Sequence, residues 1–339
     1  MTKGEIQSEI TGLNKGEKEA KKKQLMIGLI VGAGILLIAI IIIIIIVANS
    51  KDEIQAEPKT IGEINCLYDI QKTKTVLFGE QFLKGNSAFD IFIDGKKKKY
   101  TREYEFSTYG EHTIQIRIYS NLNMDYMFAG IEDLTSVEMV SEENCQITSM
   151  ISSFENCTNL KTFNLTGFKA NNLKSMKKLF YNSSLDNFYI SSFNTIALQD
   201  ISYMFAYTHI SDFTFSNLNT SQLTNISHLF ENCVSLLSVD METIDTSNFL
   251  DISYMFRSCI SLDSLNFSNF ETSKVINMSH LFQECFTLNE LNLNNFDTNK
   301  VEDMSFMFDG CSSLKYLDIS SFTTSKVKDM SNMFQQCTK

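Results

Sequence analysis

The sequence is poor in basic residues, histidine and proline, and it has no tryptophan. Its 29 Lys and Arg stand against 40 Asp and Glu, a net charge of −11 with a pI near 4.9. A nucleic-acid-binding protein needs a strongly basic surface, so that function is not expected. Disorder is excluded for most of the chain, because 43% of the residues are apolar and 27 of them are Phe.

Catalytic and cofactor motifs are also missing. There is no phosphate-binding loop, no nucleophile elbow and no Cys beside an activating His. Among only four His residues, His228 and His280 occupy equivalent positions two repeats apart. Sheet spacing would separate them by about 10 Å, too far for one zinc ion. We therefore expect no enzyme, no cofactor and no metal site.

One long apolar run dominates the amino-terminal part. Residues 25–48 carry no charge, and as a helix they would reach about 36 Å, enough to cross a bilayer. A cleavable signal peptide is the alternative, but its apolar region would be only ~7 to 15 residues long. Lysines crowd the amino side of the run. The positive-inside rule then predicts a cell-membrane protein with a cytosolic tail over 1–24, a single transmembrane signal-anchor helix over 25–48 and an extracellular remainder.

Two further segments precede the repeats. Residues 49–59, with the only proline, are typical of a stalk, and 60–120 are rich in β-branched and aromatic residues, which predicts a small β module. Asp94-Gly95 is a strong hairpin signal. The stretch 104–116 resembles the strand-turn-strand of immunoglobulin-like modules such as polycystic-kidney-disease-type domains.

A self-similar pattern then fills residues 121–339. Its anchor is a Phe that recurs every 25 or 26 residues, and the spacing predicts a solenoid of about eight stacked repeats. The anchors are Phe128, Phe154, Phe180, Phe205, Phe230, Phe256, Phe282, Phe308 and Phe334.

Each repeat combines two periodicities. Leu291 and Leu293 alternate as on one face of a short strand, whereas Met304, Met307, Phe308 and Cys311 follow at i, i+3, i+4 and i+7, which is typical of a short helix. The residue before each Met or Ile column, such as Asp303, is interpreted as a helix N-cap. The predicted fold class is an α/β solenoid of leucine-rich-repeat type, with one short strand and one short helix per repeat.

A cysteine follows most anchors by three residues. Ser and Thr replace it in the two 25-residue repeats. A column of consecutive Cys cannot pair completely, and Cys packs well as a small buried hydrophobe, so we expect free thiols. A bridge between Cys66 and Cys145 is the alternative pairing considered. The column contains Cys157, Cys233, Cys259, Cys285, Cys311 and Cys337.

The segment from Phe308 to Phe334, with its Asp-Met-Ser-Asn-Met-Phe ending, resembles the repeat of BspA-type leucine-rich-repeat surface proteins. Its closest branch is the one also seen in mycoplasma surface lipoproteins. The similarity covers about residues 121–339. It implies a curved solenoid displayed outside a cell, with roles in adhesion or recognition and no known catalysis. The chain lacks the lipoprotein Cys of the bacterial pattern after its apolar run.

Outward positions of the predicted strands supply the candidate ligand face. They would form a polar, mildly acidic surface for an extracellular protein or glycan, although ordinary solvated sheet residues would look the same. The candidates are Asn164, Asp240, Asn266, Asn292, Asp318, Glu290 and Tyr316.

Glycosylation sequons and the end of the chain leave further expectations. The chain stops before the strand that should follow Phe334, which indicates either a fragment or an edge that docks on a partner or a second copy. Self-association through Gly28 and Gly32, or a surface coat built by solenoid edges, is the alternative to a monomeric receptor. Besides Asn164 and Asn266, sequons occur at Asn156, Asn182, Asn219, Asn225 and Asn277.

Overall fold

The computed structural model describes residues 16–17, 19–20, 22–24, 26, 58–85, 88–143, 145–191 and 193–339, without the side chains of Asn187 and Ser191. The chain divides into two compact units, 1–58 and 59–339. In the first unit, the described residues before Pro58 are helical.

The predicted single-pass membrane topology is corrected by this structure. No helix in the described part of the chain is long and apolar enough to cross a bilayer. The described helical residues include the charged Glu17, Lys22 and Lys23, whereas a spanning helix needs about 20 mainly apolar residues. Of the predicted span 25–48, every residue except Met26 lies outside the described residues. The membrane localisation, with its cytosolic tail and extracellular repeats, is therefore wrong as an assignment for the described structure.

The second unit is built from short β-strands. No described residue of 59–339 is helical. The strands are β1 Gly62–Ile70, β2 Lys74–Val76, β3 Phe89–Ile93, β4 Lys96–Lys98, β5 Glu103–Glu105, β6 Gly110–Ile118, β7 Leu122–Asn123, β8 Leu134–Val140, β9 Ile147–Ser149, β10 Thr162–Thr166, β11 Asn187–Ser191, β12 Asp212–Thr214, β13 Ser238–Asp240, β14 Glu290–Asn292 and β15 Tyr316–Asp318.

One seven-stranded sheet joins the amino-terminal strands to the first repeats. Its order is β11-β10-β8-β1-β6-β3-β4. β1 pairs antiparallel with β6 and β8, whereas β8, β10 and β11 are parallel to one another. The Asp94-Gly95 turn joins β3 to β4 with left-handed φ angles of 48° and 73°, as a two-residue hairpin requires.

The later repeats continue as turns of a parallel solenoid. β12 pairs with β13 and β14 with β15, each in parallel. A second parallel ladder connects seven successive turns at the residue that precedes the Met or Ile column. Its members are Ser175, Asp200, Asn225, Asp251, Asn277, Asp303 and Asp329. The predicted α/β fold class is therefore wrong, and the observed architecture is a β-solenoid.

The segment predicted as a helix forms tight turns. Met304, Met307, Phe308 and Cys311 are buried as expected, but their amides do not point back along one axis. The Met307 amide donates to Met304 O in the same turn, whereas the Phe308 amide donates to Met333 O in the next turn. Left-handed φ angles of 55° at Phe306 and 77° at Gly310 interrupt the right-handed conformation that an α-helix needs.

The predicted N-cap residues have the same chemical role without a helix. Asp303 Oδ1 accepts the Ser305 amide at 2.9 Å, and Asn277 Oδ1 accepts the Ser279 amide at 3.0 Å. These are Asx turns, in which a side-chain oxygen bonds an amide two residues on. Asp and Asn are interchangeable here because both provide that oxygen.

The anchor phenylalanines stack along the solenoid core. Rings of neighbouring turns lie 5.3–6.0 Å apart between centroids, with planes within 18° of parallel. Phe78 extends the column at 6.1 Å from Phe128. Each offset stack adds about 0.5–1.5 kcal/mol to area burial, so the column ties every turn to the next.

The cysteine column runs beside the rings. All eight cysteines are free, so the predicted free thiols are confirmed and no bridge joins Cys66 to Cys145. Each Cys of the column donates a hydrogen bond from Sγ to the carbonyl oxygen of the anchor Phe one turn earlier. Cys311, for example, donates to Phe282 O at 3.1 Å. The column therefore strengthens turn-to-turn contact without oxidation.

Candidate ligand-binding face

The predicted face residues all lie exposed on the outer side of the repeat strands. Asn266 has no assigned strand but occupies the equivalent position between Asp240 and Asn292 in the repeat. The strand residues of the set are Asn164 in β10, Asp240 in β13, Glu290 and Asn292 in β14, and Tyr316 and Asp318 in β15.

Strand pairing within three separate ladders, β8-β10-β11, β12-β13 and β14-β15, and equivalent positions in the repeat place these side chains in two columns, which we call the sheet face. Glu290 pairs with Tyr316, and Asn292 with Asp318. The first column contains Ser136, Thr162, Asp212, Ser238, Glu290 and Tyr316. The second contains Glu138, Asn164, Tyr189, Thr214, Asp240, Asn292 and Asp318.

Several face residues are held in fixed orientations by their own turns. Asp240 Oδ1 accepts the Glu242 amide at 3.0 Å, and its Oδ2 accepts the Thr214 hydroxyl at 3.1 Å. Asn292 and Asp318 accept the amides of Asn294 and Ser320 in the same way. Backbone and side-chain hydrogen bonds to Ser320 hold the pKa of Asp318 below its usual value. The polar face is thus ordered before any ligand arrives.

A surface depression of about 430 Å³ opens on the face where the seven-stranded sheet ends and β12 begins. Tyr189, Asp212 and Asp240 are among its lining residues, and Tyr189 is 56% exposed. Such a site combines an accessible aromatic ring with carboxylates and hydroxyls.

Asp212 is the most strongly tied carboxylate of the depression. Its oxygens accept the Ser238 hydroxyl at 2.6 Å and the Ser211 hydroxyl at 2.7 Å. Those hydrogen bonds lower the pKa of Asp212 from its ordinary value. The depression therefore presents negative charge at neutral and mildly acidic pH.

Sequence reasoning missed Tyr189 and Asp212. Both belong to the 25-residue repeats, whose missing residue lies between the anchor Phe and the strand, so that Asp212 pairs with Ser238 rather than with Leu237. The spacing change was visible in the sequence, and shifting the alignment by one residue would have found them.

An aromatic row lies near the anchor column and is a poor platform for a ligand. His228 is sandwiched between Tyr203 at 4.0 Å and Tyr254 at 4.2 Å, and His280 between Tyr254 at 4.2 Å and Phe306 at 4.7 Å. These rings cover one another's faces. Among the described residues, no group of three or more His, Cys, Asp or Glu is arranged to hold a metal ion.

Four of the seven predicted glycosylation sequons, at Asn219, Asn225, Asn266 and Asn277, coincide with Asx turns of the repeat. Asn225 Oδ1, for example, accepts both the amide and the hydroxyl of Ser227, and Asp251 makes the same two bonds with Ser253. Turn geometry therefore accounts for the Asn-x-Ser pattern at these four positions, and glycosylation stays a prediction. Asn156, Asn182, Asn219 and Asn266 are exposed, and Asn225 and Asn277 are half-buried.

The stacked turns, the continuous phenylalanine column and the ordered polar face define a β-solenoid repeat protein. A family model described as "Mycoplasma protein of unknown function, DUF285" matches residues 122–238, 148–265 and 251–339. Together these ranges span about two thirds of the chain, and the chain belongs to this family. The predicted resemblance to BspA-like surface proteins is confirmed at family level, and the branch with the Asp-Met-Ser-x-Met-Phe ending stays a prediction. No curated protein and no solved structure matches the chain.

Proposed function

We propose that this protein is a recognition module, which binds a protein or glycan through the sheet face as an adhesin-type repeat protein does. The observation that carries the proposal is the ordered, exposed set of polar and aromatic side chains on one side of parallel strands. Their neighbours on the inner side, such as Leu291 and Leu293, are almost fully buried. The fold needs the inner residues for its core, whereas the outward Tyr189 and Tyr316 gain little from folding.

Binding rather than catalysis fits this arrangement. The face presents carboxylates, amides and tyrosines without a nucleophile paired to a base, which acyl or phosphoryl transfer chemistry would need. Parallel strands at 4.7–4.9 Å spacing offer repeated positions along which an elongated ligand can lie.

The test measures binding of the full chain to immobilised oligosaccharides and to purified extracellular-matrix proteins. Asn292→Arg places a bulky cation in the second column and should abolish or strongly weaken binding, while the denaturation midpoint stays unchanged. Gln222→Arg is the matched control, because Gln222 is exposed on a turn outside the strands. Normal binding by the Asn292→Arg variant to every positive probe would overturn the sheet-face proposal. Concentration-dependent assembly without probe binding would favour a structural coat instead.

A further inference from the structure

The sheet face is acidic in a region where the chain has no compensating base. Between Lys178 and Arg257 there is no Lys or Arg, and there are eight Asp or Glu. Asp212 and Asp240 from this stretch are exposed on neighbouring strands of the face and line the depression. Glu290 continues the first column. A neutral ligand would gain no charge–charge attraction from these carboxylates.

An exposed apolar side chain lies beside the acidic residues. Leu237 directly precedes β13 and is 56% exposed. The next residue, Ser238, lines the depression together with Asp212 and Asp240. A ligand that fills the depression can therefore also cover Leu237.

Charge complementarity identifies the occupant. An anionic glycan or a second copy of this chain, with net charge −11, would be repelled by the face. A Lys- or Arg-bearing polypeptide would be attracted, and its apolar side chains would cover Leu237. In an extended segment, side chains alternate with a period of two. Its cationic side chains can therefore enter the depression while its apolar side chains contact Leu237.

We propose that the ligand of the sheet face is a basic, extended segment of a protein partner. Its cations pair with Asp212 and Asp240, its apolar side chains cover Leu237, and Tyr189 offers a ring for cation–π contact. This inference rests on the proposed recognition function and narrows it to one class of partner. The hydroxyls of Ser238 and Ser211 hold the Asp212 carboxylate in place before binding, which reduces the ordering cost.

The experiment measures fluorescence anisotropy of labelled peptides with the full chain. The probe is a short peptide of Lys and Leu separated by Ser, and the comparison peptides replace Lys by Glu or Leu by Ser. We expect the Lys-Leu peptide to bind best and to weaken as salt rises from about 0.05 to about 0.3 M. The double variant D212N/D240N should weaken it by about fivefold or more, and Leu237→Ser should weaken it to a smaller extent.

A charge-matched control uses E80Q/E271Q, which removes two exposed carboxylates outside the strands and should leave the affinity within about twofold. Equal binding of the Glu peptide, or unchanged affinity of D212N/D240N, would overturn the inference. Oligosaccharide binding that is sensitive to Asn292→Arg, without any Lys-Leu peptide binding, would reject the partner class and keep the recognition function. If neither the peptides nor the oligosaccharides bind, and neither D212N/D240N nor Asn292→Arg changes any signal, both the partner class and the recognition function are rejected.

Discussion

The thiol of Cys285 donates a hydrogen bond to the carbonyl oxygen of Phe256, one turn earlier, across 3.1 Å. The same carbonyl accepts the Cys259 amide at 3.1 Å within its own turn. The Phe256 carbonyl oxygen therefore stabilises both its own turn and the contact with the next turn. Equivalent thiol bonds at Cys233, Cys259 and Cys311 make the cysteine column a structural element of the solenoid.

Replacing this thiol should cost a modest amount of stability. Cys285→Ala removes one hydrogen bond and leaves a small void, but Phe256 O keeps its amide donor, so we expect a loss of about 1–2 kcal/mol. Cys285→Ser keeps a hydroxyl donor and should lose less. Denaturant unfolding of the full chain gives both values. A Cys285→Ala variant as stable as the parent chain would contradict a structural role for the column.

The cysteines should be unreactive in the folded state. Burial raises the pKa of the Cys157 and Cys233 thiols to about 12, well above the ordinary 9.0, so almost no thiolate is present at neutral pH. A thiol reagent added to the native chain should modify Cys337, which is half-buried, long before the others. All eight should react after unfolding. Rapid modification of Cys157 or Cys233 in the native state would contradict this packing.

Gly and Val substitutions in the turn after each anchor should change stability in the opposite order from the same substitutions in a helix. Asn232 has a φ of 56°, a conformation that glycine adopts freely and β-branched residues resist. Asn232→Gly should be neutral or slightly stabilising, whereas Asn232→Val should lose about 1–2 kcal/mol. An exposed helical site would instead lose more with Gly than with Val. Thermal unfolding of the two variants distinguishes the conformations.

Arg257 should stabilise the solenoid by pairing with a buried acid. It donates to Glu231 at 2.8 Å, and the Glu231 side chain is only 7% exposed. Burial raises the pKa of Glu231, but hydrogen bonds from His228 and Arg257 outweigh it and leave that pKa below the ordinary 4.5. Arg257→Ala should therefore cost about 2–4 kcal/mol at neutral pH. Lys274→Ala, at an exposed site, should cost less than about 0.5 kcal/mol.

The stability difference between parent and Arg257→Ala should depend on pH. Because the pKa of Glu231 is lowered by folding, its contribution is present above the ordinary value of 4.5 and is lost as pH falls below it. The two chains should thus converge in stability in acid. Unfolding free energies measured from neutral pH down to about pH 3 test this, and a difference that grows in acid would reverse the sign.

The periodicity was enough to predict which residue columns are buried. It could not distinguish a helical backbone from a series of tight turns. Phe308 and Cys311 lie inside as their spacing required, but i, i+3, i+4 and i+7 burial fits the observed tight turns as well as a helix. The available signal was the residue two positions after each anchor, where left-handed φ angles occur and Gly and Asn are frequent. Those positions include Gly130, Asn156, Asn182, Asn232 and Gly310.

The candidate face was predictable wherever the repeat had its full length. Asn292 and Asp318 pair as their equal spacing indicated. The depression escaped prediction because it is formed at the two shortened repeats, where the register moves by one residue. Its charge also depends on which residues become neighbours across turns, which a single repeat does not reveal.

Oxidative footprinting of the chain, free and with whichever probe binds it, tests the central claim most directly. Tyr189 and Tyr316 lie on the sheet face with 56% and 71% exposure, and Tyr109, 68% exposed in the turn before β6, is an internal control. We predict that ligand protects Tyr189, Tyr316 or both from oxidation and leaves Tyr109 unchanged. Protection of Tyr109 alone, or of none of the three at saturating ligand, would contradict recognition through the sheet face.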